Sequence, residues 1–220
     1  MSKSSEDVTG GGPVTVNELV RKRGGQLVTT DCAGTLKIPD EVVLTHGVLP
    51  GRCFEADDWQ AVLAAVDRQL CRECVLRILH RRAHSQIELS RKLYQRRYGR
   101  KLVAETLDWA TEQGLLNDRL FCELFLDEKR QNGEWGPYRI RQELLRRGID
   151  RELIDAAVDA SPDYDETEQV MTLARKKWAR LTGREEASPT LKQKLYRYLA
   201  SRGFSFSLIQ QALESLEQED

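Results

Sequence analysis

Hydrophobic positions follow two different spacings along the chain. Over residues 14–38 they sit in short alternating runs, Val14/Val16, then residues 27–29, then residues 36–38. Gly24-Gly25 and Asp31-Cys32-Ala33-Gly34 separate the runs, a pattern that predicts short strands joined by turns. Pro39-Asp40 opens a short helical stretch over residues 41–45 ending near Gly47, and Pro50-Gly51 breaks the chain again. A β-rich segment of about 50 residues is too small to be secure alone and should pack on the helices downstream. From Asp57 the spacing becomes helical. Trp59, Val62, Leu63, Val66 and Leu70 lead into Cys74, Ile78 and Leu79, as one long helix or two with a bend.

Downstream, punctuation marks further helices. Ser85-x-x-Glu88 reads as a capping box for a helix carrying Leu89 and Leu93. The next helix holds Leu102, Val103, Leu107 and Trp109 and ends at Gly114. Asn117 or Asp118 caps another, with Phe121, Leu124 and Phe125 as its core face. Gly136 and Pro137 form an N-cap and first helical position, followed by the stripe Ile140 and Leu144. Gly148 supplies the left-handed residue after that helix. Asp150 then caps a helix buried through Leu153, Ile154, Ala157 and Val158. Beyond Pro162-Asp163, helices are predicted near residues 166–181, 188–202 and 205–216, with Ser188-Pro189 as a further cap and first-turn proline.

The pattern repeats. Ile140, Leu144, Gly148, Ile149, Ile154, Ala157 and Val158 are matched 55 residues on by Leu195, Leu199, Gly203, Phe204, Ile209, Ala212 and Leu213. They are matched 51 residues upstream by Leu89, Leu93, Arg97, Tyr98, Val103, Thr106 and Leu107. In the upstream copy Arg97 stands where glycine is expected, and Gly99 is read as taking the turn instead. Units that cannot bury a hydrophobic face alone must stack. The expected fold is therefore all-α, an elongated array of three tandem three-helix repeats with a small β-containing N-terminal extension. The expected divisions are a flexible tail at 1–12, the extension at 13–56, and repeats at 57–114, 115–161 and 162–220.

Composition adds limits. Net charge is −1, but residues 71–160 hold 18 basic and 15 acidic groups, so the middle is mildly basic and permits contact with a polyanion. No apolar run approaches the ~20 residues of a membrane span. With no signal peptide visible, a cytoplasmic monomer is expected. Cys71, Cys74, His80 and His84 suggest zinc, but on one helix Cys71 and His80 stand ~13.5 Å apart, too far for one ion. The cysteines read as reduced core thiols, and neither metal nor cofactor is expected. No nucleophilic triad, P-loop or dinucleotide fingerprint occurs, so an enzyme is not expected.

Arginine carries the most information. Arg96, Arg147 and Arg202 share one repeat slot in a last helical turn, where they are expected to satisfy terminal carbonyls while their stems pack. A second set comprises Arg139, Arg141 and Arg146, with Arg91 and Lys92 in repeat one and Lys194 and Arg197 in repeat three. These are candidates for a basic strip facing phosphates or an acidic protein groove. Trp135 and Tyr138 beside it are candidate aromatic anchors, or core residues.

Gly114-Leu115-Leu116-Asn117-Asp118-Arg119-x-Phe121, the run from Gly136 to Leu144, and Arg147-Gly148-Ile149 together resemble the RecX family of recombination regulators. So do His84-Ser85-x3-Glu88-Leu89-x2-Lys92-Leu93 and the Tyr198-Leu199-x3-Gly203-Phe204 region. The resemblance covers about residues 70–215. It implies three three-helix repeats, no catalytic residues, and binding to the RecA recombinase and its DNA filament with inhibition of ATPase, strand exchange and coprotease activity. A DNA-binding repeat protein acting without RecA is the alternative, less favoured by the near-neutral charge. Reversing Arg139 and Arg146 together should then abolish inhibition without unfolding. A chain starting near Asp57 should keep its helices and its RecA binding.

Overall fold

The computed structural model of the chain describes residues 12–159, 165–182 and 189–219. These form four short strands near the N-terminus and ten helices. They divide into two compact units: one runs to Arg82 and includes Ser90–Leu115, the other comprises Ala83–Leu89 and everything from Leu116 onward.

In the first unit, strands β1 (Val14–Lys22), β2 (Gly25–Thr30), β3 (Thr35–Ile38) and β4 (Cys53–Phe54) make an antiparallel sheet in the order β3-β2-β1-β4. Val20 pairs with Leu27 and Val28 with Leu36, and a bulge interrupts β1 between Val16 and Glu18. The three alternating runs become strands as expected. The two-residue β4, which pairs with Val14 and Thr15, is an addition with no alternation to announce it.

Val14, Val16, Val28 and Ile38 are buried together with Val42 and Val43 of α1 (Asp40–His46). The same core takes Trp59, Val62, Leu63 and Val66 of α2 (Ala56–Leu79), which is one continuous helix of 24 residues. The sheet and the start of α2 are therefore one packing unit. Further along α2, Cys71, Cys74, Val75 and Ile78 are buried, and the helix packs on α4 (Arg100–Glu112). Helix α2 ends at Leu79, so His80 and His84 are not part of it, and the four residues of the apparent zinc pattern do not share one helix. Burial pushes the Cys71 thiol up.

Helix α3 (Gln86–Gln95) ends in a turn that differs from the expected one. Arg97 itself adopts φ 65°, while Gly99 has φ −67° and caps α4. The Arg97 N–H donates to the Tyr94 carbonyl at 2.8 Å and the Tyr98 N–H to Leu93 at 3.3 Å. Gly148 and Ile149 bond to Leu145 and Leu144 in the same way, and Gly203 and Phe204 to Ala200 and Leu199. The hydrogen-bond pattern is thus kept in all three copies, and in the first a non-glycine residue carries the conformational cost.

The second unit holds α5 (Asp118–Asn132), α6 (Pro137–Arg146), α7 (Arg151–Asp159), α8 (Glu166–Thr182), α9 (Pro189–Ser201) and α10 (Phe206–Glu219). Asn117 caps α5 by accepting the Leu120 N–H at 3.0 Å, and Asp150 accepts the Glu152 N–H at 2.8 Å ahead of α7. Gly136 and Pro137 open α6 as expected. Phe121, Cys122, Phe125 and Leu126 close on Ile140, Leu144, Ile149 and Ile154. Leu124, expected in that face, is exposed, because the helix turns its inner stripe toward Cys122 and Leu126 instead. Burying Ile140 and Leu144 contributes roughly 1.5–3 kcal/mol each. A second core joins Val170, Leu173, Ala174 and Trp178 to Leu191, Leu195, Leu199, Phe204, Ile209 and Ala212. The expected breaks at Pro162-Asp163 and Ser188 lie outside the described residues.

Candidate partner-binding surface

The polar chemistry of the second unit concentrates where one helix ends against the start of another far away in sequence. The buried Ser85 hydroxyl accepts the Glu88 N–H at 3.1 Å and donates to the Arg147 carbonyl at 2.6 Å. Glu88, read as the second half of a capping box, instead accepts from the Arg147 guanidinium at 3.0 Å. Arg147 also bonds Glu143 at 2.9 Å and lies 5.0 Å from the centre of the Phe125 ring. Asp118 accepts the Gln86 N–H at 2.8 Å and so occupies another free donor at the start of α3. Burial nevertheless raises the Asp118 carboxyl above its ordinary range. Glu143 is shifted the other way, held low first by its bonds to Arg146 and then by Arg147.

An analogous joint lies 55 residues along from Arg147. The Arg202 carbonyl accepts the Gly136 N–H at 2.8 Å, and its guanidinium reaches Glu134 at 3.3 Å. Arg139 donates to the Ser201 carbonyl at 2.8 Å and stacks on Trp135, 4.5 Å from the ring centre. Gly203, at φ 86°, lies so close to the backbone and Cβ of Arg139 that any side chain there would collide. The shared arginine slot is therefore not mainly a carbonyl cap. Arg96 does bond the Lys92 carbonyl at 2.9 Å, but Arg147 and Arg202 are ion-paired at joints.

The expected basic strip separates into different roles. Arg139 is half-buried within a joint, so reversing its charge is expected to strike the fold as well as any partner, which weighs against the expectation that Arg139 and Arg146 can be reversed together at little cost in stability. Trp135 is half-buried, packed edge-on against Phe125 and flanked by Lys129 at 5.1 Å. Arg141 pairs with Asp155 at 3.5 Å. Arg146 is exposed but bonded twice to Glu143, at 2.8 and 2.9 Å. Tyr138 is 67% exposed. Arg91, Lys194 and Arg197 are exposed and Lys92 is half-buried, on helices α3 and α9. What stands out on α6 is a face of Tyr138, Arg141, Gln142 and Leu145, spaced i, i+3, i+4, i+7. Sequence reading missed Glu88 and Glu134 as partners because they meet Arg147 and Arg202 across 59 and 68 residues, where no local spacing gives a signal. Glu143, by contrast, stands three and four residues before Arg146 and Arg147, a spacing that reads as an ordinary solvated helix face. Nor did sequence reading single out Lys176, Lys177 and Arg180 of α8.

Two family models match the chain, described as the RecX second three-helix domain, over residues 117–158, and the RecX third three-helix domain, over residues 163–213. A regulatory protein RecX of Pseudomonas fluorescens is 35% identical over 149 residues, which is 68% of this chain and 93% of the relative. One from Chlorobium phaeobacteroides is 30% identical over 154 residues, 70% of this chain and 98% of the relative. Among solved structures, a regulatory protein RecX superposes with a TM-score of 0.68 at 20% identity, covering 91% of this chain and 99% of the other. The RecX of Lactobacillus salivarius gives 0.59 at 22% identity, covering 70% and 99%. These two likenesses are in fold, and the first covers enough of the chain to reach into the N-terminal strand region.

Proposed function

The chain belongs to the RecX family of regulatory proteins, and on that footing we propose that it binds the RecA recombinase and its DNA filament and restrains RecA's ATPase, strand-exchange and coprotease activities. The observation that carries this is coverage: relatives named as regulatory proteins align over 93% and 98% of their own lengths. Near-neutral net charge supports a protein partner over free DNA, because a strong positive field is absent. The protein acts by occupying a surface, not by chemistry, and works where RecA works, in the cytoplasm.

On the second repeat the contact falls on the exposed face of α6 around Tyr138, Arg141 and Leu145. Tyrosine supplies a large contact area at low entropic cost, and Leu145 is 42% exposed beside it. The test is RecA ATPase on single-stranded DNA with the full chain and with Tyr138→Ala/Leu145→Ala added. Wild type should inhibit. The double variant should need at least about tenfold more protein, the loss expected when ~1.4 kcal/mol of contact is removed. Its melting temperature should stay within a degree or two of wild type, as exposed substitutions usually do. Full inhibition by a folded double variant would place the contact elsewhere, and no inhibition by wild type would reject the reading itself.

A further inference from the structure

A cavity of about 430 Å³ opens in the second unit between the C-terminal end of α5 and one face of α8, with Tyr198 of α9 in its wall. Its α8 wall carries Thr172, Lys176 and Arg180, spaced i, i+4, i+8, with Lys177 alongside. Successive members of that row are separated by ~6 Å along the helix. Arg130 adds a fourth cation from α5. On α6, Arg141 and Arg146 are paired with carboxylates and Arg139 is held by the Ser201 carbonyl and the Trp135 ring, but Lys176, Lys177 and Arg180 have no carboxylate in ion-pair reach among the described residues. Lys177 and Arg202 both lie 5.1 Å from the centre of the Tyr198 ring, so two like charges share one small region. Two carboxylates, Glu134 and Glu168, line the cavity, and Glu134 is already paired with Arg202.

We propose that this cavity is an anion site for phosphate groups. Lys176, Lys177 and Arg180, with no ion pair among the described residues, converge on one volume and repel one another, and a bound anion relieves that repulsion. A phosphate group offers several acceptor oxygens at once, which lysine ammoniums meet as point charges and arginine meets with a fork. The side-chain amide of Asn132 and the Thr172 hydroxyl add neutral donors in the same wall. A lone carboxylate engages one fork and leaves the other cations uncompensated. The volume is in the range of small-ligand pockets, ~300–1,000 Å³, so it fits a free di- or triphosphate or one segment of a nucleic-acid backbone.

The test uses the intact chain with three probes: inorganic pyrophosphate, a labelled dT oligonucleotide, and a polyglutamate peptide of the same net charge as the oligonucleotide. Calorimetry reads the first and fluorescence anisotropy the others, at two salt concentrations. Binding of pyrophosphate or oligonucleotide in preference to polyglutamate is expected. Lys176→Gln/Arg180→Gln should weaken it at least about tenfold and flatten its salt dependence, because each lost cation releases fewer counterions. Pyrophosphate displacing the oligonucleotide would identify a pocket for free phosphates, whereas oligonucleotide binding without pyrophosphate binding would identify a strand-backbone site. Binding that survives in the variant, equal affinity for polyglutamate, or no phosphate binding overturns the proposal. A melt of the variant, and of Lys176→Arg/Arg180→Lys, which should retain affinity, separates site loss from unfolding. RecA inhibition is scored separately with the same proteins, so either reading can fail without the other.

Discussion

Single backbone angles distinguish otherwise equivalent positions. Arg97, Gly148 and Gly203 occupy one slot and make one pair of hydrogen bonds, yet only Arg97 carries a Cβ at positive φ. That conformation costs a non-glycine residue roughly 1–2 kcal/mol. Arg97→Gly is therefore expected to raise stability by up to ~1 kcal/mol, since glycine's larger unfolded-state entropy offsets part of the gain. Gly148→Val goes the other way for two reasons: φ is 82°, and a Cβ would lie 2.5 Å from the Ile87 side chain. It should cost at least ~2 kcal/mol, the sum of the angle and a displaced neighbour. Thermal melts of both variants check this, and equal melting points would remove the argument for both.

Among the elements, the joints carry the charge chemistry. Glu143 lies at the centre of one, with Arg147 and Arg146 both on it and Glu88 on the far side of Arg147. Its folded-state carboxyl titrates below its ordinary value of 4.5. A group lowered in this way adds stability that is fully present above 4.5 and is lost as pH falls through the folded value. Glu143→Gln should therefore lower stability at pH 7 and flatten the fall in stability below pH 4.5. Urea melts at pH 7, 5 and 3 read both effects. A variant with the wild-type slope on the acid side would show that other carboxylates set it. Asp118 acts in the opposite sense, because burial raises it, and its protonation on the acid side partly offsets the loss at Glu143.

For the molecule as a whole, the sheet cannot be separated from the helices. Trp59, Val62 and Leu63 are 1%, 0% and 7% exposed, and they are buried by the valines of β1, β2 and α1. A chain beginning at Asp57 would leave these three side chains in water, at a cost of roughly 1.5–3 kcal/mol each. The expected result is a lower, broader melt with dye-accessible apolar surface, not the intact helical protein that motif positions suggested. A truncated chain melting like wild type would show that α2 finds another cover. The proposed α6 contact and α8 cavity both lie in the second unit, so their tests use the whole chain and avoid this complication.

Local signals carried most of the elements. Gly136-Pro137, Asn117, Asp150 and the left-handed Gly148 and Gly203 were legible because caps and turns depend on a few adjacent residues. The apolar stripes Ile140/Leu144 and Leu195/Leu199 were legible because helical period alone selects a buried face. Repetition then exposed the three-copy design without any coordinates. Four things needed the tertiary structure. Leu124 is exposed because the rotation of α5 in its site, not its spacing, selects the inner face. Arg97 takes the turn because the hydrogen-bond pattern of the repeat outweighs one residue's preference. Glu88 abandons its cap for Arg147, and Arg139 leaves the solvent strip for Ser201 and Trp135, because their partners arrive from 59 and 62 residues away. Composition and period specify which surfaces must be buried. Which charges find a partner is decided only when distant helix ends meet, and among the described residues Lys176, Lys177 and Arg180 of α8 line an open cavity without an ion pair.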